Sequence, residues 1–135
     1  MAHNAASGGS DDALTIALAQ LEIEAGHVEA NVDRALEAVE RAAARGVDLV
    51  ALPELFTVGY FAFDLYTRHA EPIAGETVTR LQNAAADHEI AVLAGTIVED
   101  LAATDAVETP ADEGLANAAV LFDADGTRQL VYRKH

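Results

Sequence analysis

The sequence contains no cysteine. That excludes disulfides, thiolate metal sites and a thiol nucleophile within these 135 residues. Lysine is almost as scarce: Lys134 is the only one, beside seven arginines. Eight basic residues against 23 acidic ones leave a net charge of −15. A surface of that sign repels phosphate backbones, so no nucleic-acid partner is expected. No apolar run approaches the roughly 18 residues of a membrane helix. Met1 to Asp12 carries no basic stretch leading into an apolar one, so no secretory leader is expected and the expected location is the cytoplasm. There is no internal repeat. A flavodoxin-like or nucleotide-binding module is weakly supported, because Gln20 to Gly26, after the first apolar run, holds a single glycine.

What is present is acid and alanine-rich apolar sequence. The chain is 51% hydrophobic, which suits one folded domain and argues against general disorder. An acidic, lysine-poor surface suits a cytoplasm at very high salt. At about 1 M salt the Debye length is about 3 Å and like-charge repulsion is screened. A halophilic source is therefore expected, with partial unfolding at low salt.

Residues 1–12 are small and polar and read as a flexible tail. Leu14 to Ala19 reads as a buried strand. From Val28 to Arg45, the apolar residues Val28, Val32, Leu36, Val39 and Ala43 recur at helical spacing, and Gly46 supplies the stop. Leu49 to Pro53 is a continuous apolar run, predicting a strand buried on both faces. A short helix is expected over Asp64 to Ala70, a second amphipathic helix over Glu76 to His88, and a third buried strand over Ile90 to Val98. Glu99 to Gly114 carries six acidic residues and no basic one, and reads as a solvated loop whose spacing does not match a calcium site. Leu115 to Phe122 and Thr127 to Lys134 form a hairpin around Asp123-Ala-Asp-Gly126. The alternation is β-α-β-α-β followed by a β-hairpin, the pattern of an α/β sheet.

Two charged residues stand out within this pattern. Glu54 follows the second apolar run directly, at the strand edge where open α/β sheets bind ligands. The loop after it, Leu55 to Phe63, holds Phe56, Tyr60, Phe61 and Phe63. An apolar setting of that kind raises a carboxyl pKa and suits a general base. Position alone equally fits a solvated loop residue or a helix cap. Tyr60 fits a pocket wall or the core. Lys134 shares a strand face with Leu130 and Tyr132, an unusual place for an ammonium group. Glu54 and Lys134 by themselves also fit a structural ion pair. Asp64, Arg68 and His69 lack metal-ligand spacing and read as surface.

The run Asp48-Leu-Val-Ala-Leu-Pro-Glu-Leu-Phe-Thr-Val-Gly-Tyr60 resembles the first catalytic motif of the nitrilase, or carbon-nitrogen hydrolase, superfamily. Glu71-Pro-Ile-Ala-Gly75, Asn117-Ala-Ala-Val-Leu-Phe-Asp-Ala-Asp-Gly126 and Tyr132-Arg-Lys134 follow in the order that family shows. The resemblance runs from about Leu14 to His135. It implies the N-terminal half of an α-β-β-α sandwich, with residues 13–135 as a hydrolase domain incomplete at its C-terminus. It implies Glu54 as general base and Lys134 as the cation that stabilises the tetrahedral intermediate. The family's nucleophilic cysteine lies beyond its lysine motif, so this chain alone is expected to be inactive. The implied substrate is a small amide, nitrile or carbamoyl compound, with no metal or organic cofactor; Tyr60, if a pocket wall and not core, is the expected substrate-binding residue. An open sheet face is expected to drive homo-oligomerisation or other association. The competing expectation is a non-catalytic binding or assembly module that pairs with a full-length relative.

Overall fold

The computed structural model describes residues 13–104 and 114–134. The expected tail over residues 1–12 and most of the acidic stretch, residues 105–113, lie outside the described residues. Among those described, the strands are β1 (Ile16–Leu18), β2 (Leu49–Ala51), β3 (Ala91–Asp100), β4 (Leu115–Phe122) and β5 (Arg128–Arg133). The helices are α1 (Val28–Ala44), α2 (Tyr66–His69) and α3 (Glu76–His88), with one 3₁₀ turn over Phe63–Leu65. The strands form one sheet in the order β1-β2-β3-β4-β5. The first three are parallel, and β3-β4-β5 are antiparallel. This is the mixed α/β architecture expected. None of the described helices is long and apolar enough to cross a membrane.

Both long helices cover the same face of the sheet. Val32, Ala35, Val39 and Ala42 of α1 and Val78, Leu81 and Ala85 of α3 pack on Val50, Val92, Ala94, Ile97, Ala118, Val120 and Phe122. The buried stripe of α1 is rotated slightly from the expected one, because Leu36 and Ala43 lie at its margin. Gly46 adopts φ +75°, and the amides of Arg45 and Gly46 close the last turn, as a C′ glycine allows. Helical spacing allows an i,i+4 pair of Glu37 with Arg41, which is absent among the described ion pairs. Arg80 of α3 instead reaches Glu29 (3.0 Å) and Asp33 (2.9 Å) of α1.

Much of the opposite face is open, although Val98 is buried on it with Leu55, Val58 and Ala62. Ile16 and Leu18 pair with Leu49 and Ala51, and Leu130 and Tyr132 pair with Leu121 and Ala119. Ile16, Leu18, Leu130 and Tyr132 are all exposed, Leu18 at 81%. β1 is therefore not the buried strand expected, but a short edge strand with one wet face.

β3 runs two residues further than expected, and this corrects the reading of Glu99. Glu99 is fully buried on the helix-covered side, not solvated in a loop. Its carboxylate accepts from Arg133 Nε (2.7 Å) and Nη2 (2.9 Å). A two-pronged guanidinium contact makes burial of a carboxylate tolerable. The local excess of acid concealed it, since its partner lies 34 residues away.

Candidate active site

The end of β2 is set by a close approach of two backbones. A Cβ on Gly95 would lie 1.9 Å from the Pro53 carbonyl oxygen and 2.3 Å from that of Leu52. Only glycine lets β2 run against β3 there. The register of β3 on β4 shifts between Ala94 and Ile97, so Gly95 and Thr96 form a bulge. The bulge grips the chain beside Glu54. Thr96 N–H donates to Pro53 O (3.2 Å), and Thr96 Oγ1 accepts from Leu55 N–H (2.8 Å). Leu55 sits at φ +51°, a left-handed backbone that a leucine adopts only when its surroundings impose it.

The loop beyond is fastened to the core. Phe56 is fully buried, whereas Tyr60, Phe61 and Phe63 are exposed, so the four aromatics of this loop divide between core and surface. They continue as an edge-to-face series through Phe61, Phe63 and Tyr66. Asn31 of α1 is buried and donates to Thr57 O (2.9 Å) and Glu24 O (2.8 Å) while accepting from Glu24 N–H (2.9 Å). Gly59 takes φ +109°, which turns the chain toward Tyr60.

Glu54 and Lys134, 80 residues apart, meet at this place. Lys134 Nζ lies 3.2 Å from Glu54 Oε1. Asn117 Nδ2 donates to the same oxygen at 2.8 Å. Lys134 N–H donates to Asn117 O (2.9 Å), which joins the end of β5 to the start of β4. The Arg133–Glu99 contact anchors the preceding residue on the covered face, so Lys134 emerges on the open one. Glu54, Asn117 and Lys134 border a cleft of about 280 Å³ walled by Leu55, Tyr60, Phe63, Tyr66, Val98 and Leu115. Tyr60 is thus at the cleft and outside the core. Its carbonyl accepts from the Tyr66 hydroxyl.

The electrostatics differ from expectation. The Asn117 amide, and then the Lys134 ammonium, hold the Glu54 carboxyl below the usual carboxylate range. The side chain is 38% exposed, so burial does not offset these two donors. Glu54 in turn holds the Lys134 ammonium above the usual lysine range. Burial, with the nearby charges of Tyr60 and Glu54, raises the Tyr66 hydroxyl. No group of three or more His, Asp or Glu among the described residues is placed to hold a metal ion. Asp64, Arg68 and His69 stay apart from the cleft lining.

Sequence reasoning missed three residues of this arrangement. Gly95 and Thr96 carried a signal, a glycine inside an apolar strand pattern, which marks a bulge or a close backbone approach. Asn117 carried a weaker one, an amide on the face of β4 that also presents Ala119 and Leu121.

Comparison with known proteins agrees with the geometry. The family model for carbon-nitrogen hydrolases matches residues 15–135. Human omega-amidase NIT2 is 34% identical over 120 residues, covering 88% of this chain and 39% of the relative. The structure of Saccharomyces cerevisiae Nit3, a member of branch 10 of the nitrilase superfamily, aligns with a TM-score of 0.73 at 28% identity, over 90% of this chain and 44% of that one. A mutant of the amidase from Nesterenkonia sp. AN1, in a structure showing the result of Michael addition of acrylamide at the active-site cysteine, aligns with a TM-score of 0.70 at 26% identity, over 90% of this chain and 44% of that one. The chain therefore spans less than half the length of these relatives. With the sheet order, the Glu54–Lys134 convergence and a family match over nearly all its length, the chain belongs to the carbon-nitrogen hydrolase family.

Proposed function

We propose that the chain supplies two of the three catalytic groups of an amidase acting on a small, non-peptide amide. The third group, a cysteine thiolate, comes from polypeptide outside these 135 residues. The observation that carries this reading is the convergence of Glu54 and Lys134 at the mouth of an apolar cleft. A structural ion pair explains it poorly. With side chains 38% and 57% exposed, such a pair contributes little to stability.

In the reaction, Glu54 takes the thiol proton as the sulfur attacks the carbonyl carbon. Lys134 stands beside the oxygen that gains negative charge. The C–N bond breaks, ammonia or an amine leaves with the proton returned by Glu54, and a thioester remains. Glu54 then deprotonates water, which attacks the thioester and restores the thiol. Tyr60 contacts the substrate from the cleft wall, and no metal or organic cofactor takes part. In the present surroundings Glu54 is a weak base. Further structure over the cleft removes water and raises its proton affinity.

Alone, the chain is inactive. The test is complementation with a cysteine-bearing C-terminal segment from a carbon-nitrogen hydrolase, followed by ammonia release from a small primary amide. Activity should appear and be lost in both Glu54→Gln and Lys134→Ala. Full activity in either variant removes that residue from the assigned role.

The open apolar sheet face favours a second reading, a non-catalytic assembly module. Both readings include association through that face, as a homo-oligomer or with a longer relative. They separate in the complementation test, since an assembly module binds the added segment without releasing ammonia. The acidic, lysine-poor surface further supports a cytoplasmic protein adapted to high salt.

A further inference from the structure

Asn117 is the first residue of its motif and has the shorter of the two contacts to Glu54, 2.8 Å against 3.2 Å from Lys134. Both donors reach Oε1. Among the described residues no donor reaches Oε2. The two carboxylate oxygens are therefore unlike: among the described residues, one is tied to protein donors and the other is not. The amide itself is unusual. Its Nδ2 serves Glu54, while its Oδ1 is buried without a hydrogen-bond partner among the described residues. Flipping the amide would set Oδ1 against a carboxylate oxygen, so the orientation follows from Glu54. A buried acceptor without a partner among the described residues calls for a reason, and the Nδ2 contact to Glu54 supplies one.

We propose that Asn117 is a positioning residue: it pins Oε1 and leaves Oε2 as the oxygen that receives the proton. The proposal rests on the reading of Glu54 as general base, but its test does not. Lys134 cannot do this work alone, because its ammonium sits on a flexible stem and is itself the group assigned to the substrate oxygen. A neutral amide fixed at the start of β4 orients the carboxylate without adding charge. It leaves the ammonium free to turn toward the cleft.

The test is carbon-13 NMR titration of the Glu54 carboxyl in the full chain, for the parent, Asn117→Ala, Asn117→Asp and Lys134→Met. Asn117→Ala should raise the Glu54 midpoint with the backbone amide pattern retained. Asn117→Asp should raise it further, because a second carboxylate replaces the donor. In the parent and in Lys134→Met, the Asn117 side-chain amide signals should titrate with the Glu54 midpoint. An unchanged midpoint in Asn117→Ala overturns the proposal. So do Asn117 amide signals that ignore Glu54 in the parent, a measurement that stands even where a variant fails to fold. Either result leaves the general-base reading intact, which fails only in the activity test of Glu54→Gln.

Discussion

Replacing Gly95 with alanine tests whether backbone proximity positions Glu54. The new Cβ meets the Pro53 oxygen at 1.9 Å and the Leu52 oxygen at 2.3 Å. Both are backbone atoms, so no side chain can swing away. Moving the Pro53 oxygen beyond 3.0 Å disrupts three contacts: Thr96 N–H to Pro53 O, Leu52 N–H to Leu93 O and Leu55 N–H to Thr96 Oγ1. At about 1 kcal/mol each, the loss is about 3 kcal/mol. Two other glycines serve as controls. Gly114→Ala meets nothing within 4 Å and should be neutral. Gly46→Ala also meets nothing but sits at φ +75°, so it should lose only about 1 kcal/mol of backbone strain. Equilibrium urea denaturation at fixed protein concentration is the assay. With a slope of about 1.5 kcal/mol per molar, the Gly95→Ala midpoint falls by about 2 M. A midpoint within about 0.3 M of the parent would refute the argument that this contact sets the end of β2.

Arg133→Ala leaves the fully buried Glu99 carboxylate without its cation and should destabilise the chain by about 3–5 kcal/mol, whereas a loss under about 1 kcal/mol would mean that water reaches Glu99. Phe56→Ala should lower stability by about 3–5 kcal/mol and Phe61→Ala by less than about 1 kcal/mol, and equal losses would contradict the division of the aromatic loop. For pH, Glu54's folded-state pKa is depressed, so its contribution is complete above the ordinary carboxylate range and lost as pH falls through the depressed value. Lys134's is raised, so its contribution is complete below the ordinary lysine range and lost as pH rises through the raised value. A parent Glu54 midpoint at or above that of a free glutamate would count against the contact. Melting followed against sodium chloride should show a rising midpoint, and a flat profile would count against salt adaptation.

Much of the fold was legible because it depends on local pattern. β4 (Leu115–Phe122) and α3 (Glu76–His88) stand where apolar spacing put them, and the turn glycine Gly126 takes φ +86°. Long-range pairing was not legible. Glu99 looked solvated because its neighbours in sequence are acids, while the residue that decides its fate, Arg133, arrives from another strand. β1 looked buried because its sequence is apolar, but apolar composition alone does not show that a face is covered, and Ile16 and Leu18 are exposed. At the cleft, Glu54 and Lys134 stood out by position and took their roles from the family motif, Tyr60 fitted either a pocket wall or the core, and the structure brings all three to one border. The direction of the Glu54 shift came out reversed. Aromatic neighbours in sequence suggested desolvation, but Phe56 turns inward, the others stay wet, and two donors stand against the carboxylate. Asn31, Thr96 and Asn117 act through contacts spanning 26, 41 and 63 residues, beyond the reach of periodicity.

The most direct measurement is intact mass spectrometry of the complex between this chain and a cysteine-bearing C-terminal segment, incubated with a small primary amide. The account predicts a thioester adduct, the mass of the acyl group, on the cysteine segment. The adduct should form only when this chain is present and should fail to form with Glu54→Gln. An adduct appearing at the same rate with Glu54→Gln, or neither adduct nor released ammonia in an assembled complex with the parent chain, would contradict the claim that Glu54 and Lys134 activate a cysteine carried elsewhere.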